Sequence, residues 1–99
     1  MVSDRFREIK ELRDRFIRAV YDLRDPNSGR AMGDTIMQRM GLDPEDPDDE
    51  GRYAEIARYF DEIDYIQGEA SGYNIVTMSA LGIEYVEVED DLRREEGGA

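Results

Sequence analysis

Two secondary structures are possible for residues 79–92, whose sequence is Ser79-Ala80-Leu81-Gly82-Ile83-Glu84-Tyr85-Val86-Glu87-Val88-Glu89-Asp90-Asp91-Leu92. Ser79 is a suitable N-cap, and a helix that starts there places Ile83, Val86 and Asp90 along one side. The alternation of apolar and acidic residues between Ile83 and Val88 is instead typical of a third strand. These residues taken alone leave both interpretations open.

The segment before Ser79 has the composition of a β-hairpin. Residues 65–69 and 73–78 are short and rich in β-branched or aromatic side chains. Ala70-Ser71-Gly72 lies between them and is predicted to be a turn. The sequence therefore predicts an antiparallel hairpin within a sheet of two or three strands.

Three amphipathic helices are predicted before the hairpin. The first covers residues 3–24 and ends before Pro26, because proline disfavours helical geometry in the preceding residue. The second covers residues 34–40 and ends at Gly41, a usual left-handed terminator. The third covers residues 48–63. The apolar stripe of the first helix is Phe6, Ile9, Leu12, Phe16, Val20 and Leu23, and that of the third is Tyr53, Ile56, Ala57, Phe60 and Ile63.

The order of these elements resembles the winged helix-turn-helix family. Phe60-Asp61-Glu62-Ile63-Asp64-Tyr65-Ile66 looks like the exit from the family's recognition helix. Residues 76–87 look like its last strand and closing helix, in which a Ser or Thr caps and a Gly stands three positions later. The resemblance covers residues 5 to about 92 and implies a helix from Ser79. The implied fold is α+β and mainly α, with a three-helix core, a small antiparallel hairpin wing at residues 70–72 and a C-terminal helix.

The composition indicates one small acidic domain. The 99 residues include 13 Lys and Arg, 25 Asp and Glu, no His and no Cys, for a formal charge of −12. A chain of this length forms one modest core, so we expect a single domain over residues 1–99, ordered over about 4–92 and frayed over 93–99. The lack of long apolar stretches predicts a soluble, cytoplasmic protein without a membrane span. His, the commonest general base and metal ligand, and the Cys thiolate are missing, so catalysis would have to rest on carboxylates, Tyr or Lys10. We predict no enzymatic activity and no cofactor.

The resemblance implies a transcription-regulator-like protein whose third helix faces double-stranded DNA, with Arg52, Arg58 and Tyr59 nearest the groove. Residues 43–64 nevertheless carry ten acids against two bases, and lone bases among acids rarely form a nucleic-acid-binding surface. In the simpler structural interpretation, the two arginines pair with Glu55, Glu62 and neighbouring acids at helical spacing. The alternative function is an acidic winged-helix protein-interaction module, which binds a basic partner or mimics DNA.

The acidic turn at residues 43–50 does not predict a metal site. Asp46, Asp48, Glu50 and Gly51 fit positions one, three, five and six of a calcium-binding loop. Position twelve falls on Ala57, where a bidentate carboxylate is required. We therefore expect no bound metal.

Apolar residues outside the predicted core suggest a second apolar surface. Ile17 and Tyr21 lie off the stripe of the first helix, and Tyr85, Val88 and Leu92 form a separate line on the last helix. Small domains gain stability when such surfaces are buried between symmetric copies. We predict a homodimer whose interface contains these five residues.

Overall fold

The computed structural model of the chain describes residues 3–69 and 72–97, which form four helices and a three-stranded sheet. The elements are α1 (Asp4–Leu23), β1 (Arg30–Met32), α2 (Gly33–Met40), α3 (Pro47–Glu62), β2 (Ile66–Gly68), β3 (Ile75–Met78) and α4 (Ala80–Gly97). The strands are antiparallel and lie in the order β1-β3-β2. The predicted fold class, α+β and mainly α, is confirmed.

The first helix and the turn after it are organised by local hydrogen bonds. Ser3 caps α1 because its Oγ accepts from the backbone N–H of Phe6 at 3.2 Å. After the helix, the Asp25 carboxylate accepts from the N–H groups of Asn27 and Ser28 at 2.8 and 3.0 Å. These two hydrogen bonds lower the pKa of Asp25. They also fix the turn that leads the chain into the sheet.

Strand β1 is the element that the sequence analysis does not predict. It has three residues and its Ala31 is buried beside Val76, while Arg30 and Met32 pair with Thr77 and Ile75. Three residues are too few to show a period of two, so no sequence pattern distinguishes this strand from a loop. It forms because β3 offers a free edge for antiparallel pairing.

The residues after Ser79 form a helix and not a third hairpin strand. Strand β3 ends at Met78, and the Oγ of Ser79 accepts from the N–H of Gly82 at 3.0 Å. The Ser79 hydroxyl also donates to the Asp64 carbonyl at 2.6 Å, and its N–H donates to the Tyr65 carbonyl at 3.0 Å. Gly82 lies against that same Tyr65 carbonyl, so closely that a Cβ there would overlap the oxygen. A strand cannot satisfy this set of contacts, which hold the start of α4 on the turn after α3.

The core lies where α1, α2, α3, the sheet and α4 meet. Phe16 packs between Tyr53 and Phe60, with ring centroids 5.7 and 5.3 Å away. The buried side chains among the described residues are all apolar or aromatic: Phe16, Ile17, Ala19, Val20, Ala31, Ile36, Met37, Met40, Tyr53, Ile56, Ala57, Phe60, Ile66, Val76, Met78 and Val86.

The predicted stripes extend further than this core. Phe6 and Ile9 in the first turns of α1 are exposed, and so is Ile63 at the end of α3. Their assignment to the core is wrong, because α1 projects past the elements that cover its second half. All three line an open groove beside α1.

The last helix is attached to α1 by polar contacts. The Arg18 guanidinium donates to both carboxylate oxygens of Asp90, at 3.1 and 2.5 Å, and the Tyr21 hydroxyl donates to Glu87 at 3.1 Å. Helix α4 continues to Gly97, beyond the end predicted at about residue 92. Residues 98–99, the rest of the segment predicted to fray, lie outside the described residues.

Within residues 3–69 and 72–97, none of the helices combines the length and the apolar character that a membrane crossing requires.

Candidate nucleic-acid interface

The start of α3 explains why so many acids precede it. Asp46 caps the helix by accepting from the N–H of Asp48 at 3.0 Å, and Pro47 occupies the first helical position. The Asp49 carboxylate accepts from the N–H of Asp43, and the Asp43 carboxylate accepts from Glu45, both at 2.9 Å. The acids therefore satisfy the backbone of a short loop and complement the positive end of the helix dipole. In the ranges that the structure covers, no group of three or more acidic side chains is arranged to hold a metal ion.

Arg52 lies on the side of α3 that faces α1. Its guanidinium is 3.5 Å from the Glu8 carboxylate, and both side chains are more than half exposed. The predicted pairing with Glu55 is replaced by this contact between two helices. Since the residues are 44 positions apart, no local spacing in the sequence indicates the pair.

Tyr59 lies on the same side of α3 as Arg52, because seven residues make about two helical turns. The Arg13 guanidinium of α1 stands over its ring, 3.8 Å from the centroid. The ring also meets Phe60 edge to face at 5.1 Å. Tyr59 is thus part of the contact between α1 and α3, and the structure orients its ring toward α1.

Arg58 is six residues from Arg52, or about 120° around the helix, so it faces the hairpin side instead. It is exposed near Tyr73, whose hydroxyl donates to Asp61 at 3.1 Å. Burial and then the Asp61 contact raise the pKa of Tyr73, while the positive charge of Arg58 opposes this shift. The structure therefore does not bring the three predicted DNA-binding residues onto one face.

The hairpin is held against α3 by a second tyrosine. The Tyr53 hydroxyl donates to the Tyr73 carbonyl at 2.7 Å, and burial raises the pKa of Tyr53. At the tip of the hairpin, the Glu69 carboxylate pairs with Arg30 of β1 at 2.9 Å. Ala70 and Ser71 of the predicted wing turn lie outside the described residues.

The outward line of α3 consists of Asp48, Gly51, Glu55, Arg58 and Glu62, all exposed. It carries three acids and one base. Over α2, α3, the connecting loops and the hairpin, residues 33–69 and 72–78 contain twelve acids and three bases, a formal charge of −9. Helix α1 is close to neutral, with six bases and five acids. The negative potential is therefore concentrated on the half of the molecule that contains α3.

Two open grooves lie along the exposed half of α1, and Glu55 of the outward line borders the first of them. One has a volume of about 440 Å³ and runs between α1 and α3, lined by Arg5, Ile9, Arg13 and Arg52 among others. The other has a volume of about 340 Å³ and is mainly aromatic and aliphatic. We call it the aromatic groove and define it by Phe6, Ile9, Tyr59, Ile63, Tyr65 and Tyr85.

The five residues of the predicted dimer interface differ in how far they are buried. Ile17 is only 4% exposed and belongs to the core, so its assignment to a second apolar surface is wrong. Tyr21 is half-buried and contacts Glu87 and Arg24 of its own chain. Tyr85 is half-buried with its ring 5.0 Å from that of Tyr65, whereas Val88 and Leu92 are 48% and 53% exposed.

Comparisons of the chain with protein-family models, with curated proteins and with solved structures give no match.

Proposed function

We propose that this protein is a small, cytoplasmic, non-enzymatic DNA-binding protein of the transcription-regulator type with a winged-helix fold. The observation that carries the proposal is the placement of α3. Its outward line is exposed along its length, α2 precedes it, and the β2–β3 hairpin follows it and is tied to it through Tyr53 and Tyr73. Helix-turn-helix proteins present their recognition helix to the major groove in this way.

The polar groups of the described residues support binding rather than catalysis. None of their charged or polar side chains is buried, and no buried side-chain nitrogen or oxygen lacks a hydrogen-bond partner. The carboxylates with lowered pKa values, Asp25 and Asp90, take part in a turn and in a helix contact. A catalytic site usually contains a perturbed group in a cleft. Tyr85 lines the aromatic groove, but burial and then Glu89 raise its pKa, which keeps the hydroxyl protonated and disfavours its use as a base.

The charges predict an unusual salt dependence for DNA binding. Arg58 is the base on the outward line, and Arg52 can join it only by leaving Glu8, which costs little because exposed ion pairs contribute at most about 1 kcal/mol. Few phosphate contacts release few counterions, so added salt weakens such binding only slightly. Salt also screens repulsion by the acids, since the screening length falls from roughly 10 Å at 0.1 M to roughly 3 Å at 1 M. We expect binding that persists at molar salt.

The test starts with selection from a library of randomised DNA duplexes at low and at molar KCl. Affinity of the enriched duplex is then measured by fluorescence anisotropy across the salt series. Arg58→Ala and Arg52→Ala are expected to weaken binding about tenfold each, the loss typical of one arginine contact. Arg94→Ala is the matched control, because Arg94 is an exposed arginine on α4. Failure to enrich any duplex at any salt concentration, or equal losses for all three variants, would refute the proposal.

The formal charge of −9 on the half that contains α3 favours a second candidate function. In that case, the outward line of α3 binds a basic protein surface, and the acids provide the attraction. Protamine, an arginine-rich polycation, serves as the probe. Glu55→Gln with Glu62→Gln should weaken its binding more than Glu84→Gln with Asp91→Asn, which removes the same charge from α4. Equal weakening would show attraction to total charge only and would contradict this candidate.

A further inference from the structure

We propose that two copies of this chain associate by reciprocal docking, in which α4 of each copy lies on the aromatic groove of the other. This surface is distinct from the outward line of α3, so the inference does not depend on DNA binding.

The first observation is an exposed apolar line on α4. Leu81, Tyr85, Val88 and Leu92 are spaced by four, three and four residues, which is the spacing of a helix-packing seam. We call this line the α4 stripe. Leu81, Val88 and Leu92 are each about half exposed, although Val86 on the opposite side of the helix is buried. The stripe is therefore the side of α4 that its own chain leaves uncovered.

The second observation is that the aromatic groove adjoins this stripe. Tyr85 belongs to both, since it lines the groove and is part of the stripe. Within the groove, Phe6 is 57% exposed, and Ile9 and Ile63 are each more than a third exposed. The groove and the stripe adjoin at Tyr85, and together they place largely apolar side chains of α1, α3 and α4 side by side. A surface of this kind on a small domain indicates an interaction site.

Charge complementarity identifies a second copy as the occupant. Four bases line this groove and the adjoining one, against three acids: Arg5, Lys10, Arg13 and Arg52 against Glu8, Asp14 and Glu55. Lys10 is paired with Asp14. Glu84, Asp91 and Glu95 on α4 are exposed, and each is three or four residues from a member of the stripe. A partner's α4 thus brings leucine and valine to the apolar groove and carboxylates to its basic edge.

The same charges disfavour a dimer whose contact consists of the two α4 stripes alone. Residues 80–97 contain seven acids and two bases, so a seam between two α4 helices would place like charges opposite each other. Docking onto α1 replaces that repulsion with attraction. It is also self-complementary, because each copy supplies one groove and one stripe and both contacts form around a two-fold axis.

The first measurement is sedimentation equilibrium of the full chain over a concentration series. We expect a dimer with twice the 11.4 kDa chain mass at tens of micromolar. Leu92→Glu should weaken the dimer by about tenfold or more, because a buried anchor becomes a charge on both contacts. Its far-UV circular dichroism should remain that of the unmodified chain, since Leu92 is exposed. A monomer at all concentrations, or a dimer that Leu92→Glu leaves intact, would overturn the inference.

Charge reversal distinguishes docking on α1 from pairing of α4 helices. Arg5→Glu with Lys10→Glu should weaken the homodimer, and so should Glu84→Lys with Asp91→Lys. Mixing the two variants should restore dimers as heterodimers, because each contact then joins opposite charges. Arg7→Glu is the control on α1 for Arg5→Glu alone, since it makes the same change of charge and Arg7 does not line either groove. If reversal on α1 has no effect, the proposed mode of docking is wrong.

Discussion

Gly82 should be intolerant of a single added methyl group, although it lies inside a helix. A glycine in a helix normally costs up to about 1 kcal/mol relative to alanine, so Gly82→Ala gains that amount from helix propensity. The added Cβ would, however, overlap the Tyr65 carbonyl oxygen and lie 3.1 Å from the carbonyl carbon and 3.3 Å from the Met78 Cγ. Two of these three atoms are backbone, so relief requires α4 itself to move.

The expected cost follows from that movement. Overpacking of this kind typically costs about 1–3 kcal/mol. A shift of α4 also lengthens the hydrogen bonds from Ser79 to the carbonyls of Asp64 and Tyr65, each worth about 0.5–1.5 kcal/mol. After subtraction of the gain in propensity, we expect Gly82→Ala to lower the free energy of unfolding by about 1–3 kcal/mol.

Gly51 provides the matched control. It lies within α3, and a Cβ built there has no neighbouring atom within 4 Å. Gly51→Ala should therefore raise the free energy of unfolding by up to about 1 kcal/mol. Urea denaturation followed by circular dichroism measures the free energy of unfolding of both variants. In a separate thermal scan, each 1 kcal/mol should move the melting temperature by about 4–8 °C. If Gly82→Ala proves as stable as the unmodified chain, the close approach of α4 to the turn after α3 is refuted.

Three further predictions concern the turn after α3 and the attachment of α4. Asp64 has a positive φ of 65°, so Asp64→Gly should retain or increase stability, whereas Asp64→Val should cost about 1–2 kcal/mol in urea denaturation; equal effects would contradict the assigned backbone. The hydrogen bond from Arg18 lowers the pKa of Asp90, so its stabilisation is present above the ordinary carboxyl pKa and is lost as pH falls through the folded-state value. Unfolding measured at pH values on both sides of this window should lose that pH dependence in Asp90→Asn but keep it in Asp91→Asn. Burial and a nearby glutamate raise the pKa of Tyr85 to about 12, so Tyr85→Phe should remove one late-ionising group from the ultraviolet alkaline titration; an unchanged titration at high pH would disprove this.

The helices and the hairpin were largely predictable because their signals are local. The Ser3 cap, Pro26, Gly41 and the three-to-four-residue spacing of apolar side chains all act within about one or two helical turns. The bounds of α1, α2 and α3 agree with the predicted ranges to within one or two residues. The same local signals fit both a helix and a strand after Ser79. The contacts of Ser79 and Gly82 with the turn after α3 are tertiary, and they are what makes this segment a helix.

The candidate site was less predictable because it depends on contacts between distant parts of the chain. Composition and spacing identified an acid-rich α3 with few bases, a protein without His or Cys, and apolar residues in excess of the core. Packing alone determined that Arg52 meets Glu8, that Arg13 covers Tyr59 and that Arg58 faces the other side.

Burial was likewise decided by tertiary structure. Ile17 is in the core because α4 packs over that side of α1, whereas Phe6 and Ile9 remain open because α1 is longer than the layer that covers it. Helical periodicity reveals that a helix has an apolar side, but how far a neighbouring element extends along that side depends on the angles and lengths of both. The short β1 strand has the same origin, since its pairing with β3 exists only after the chain has folded.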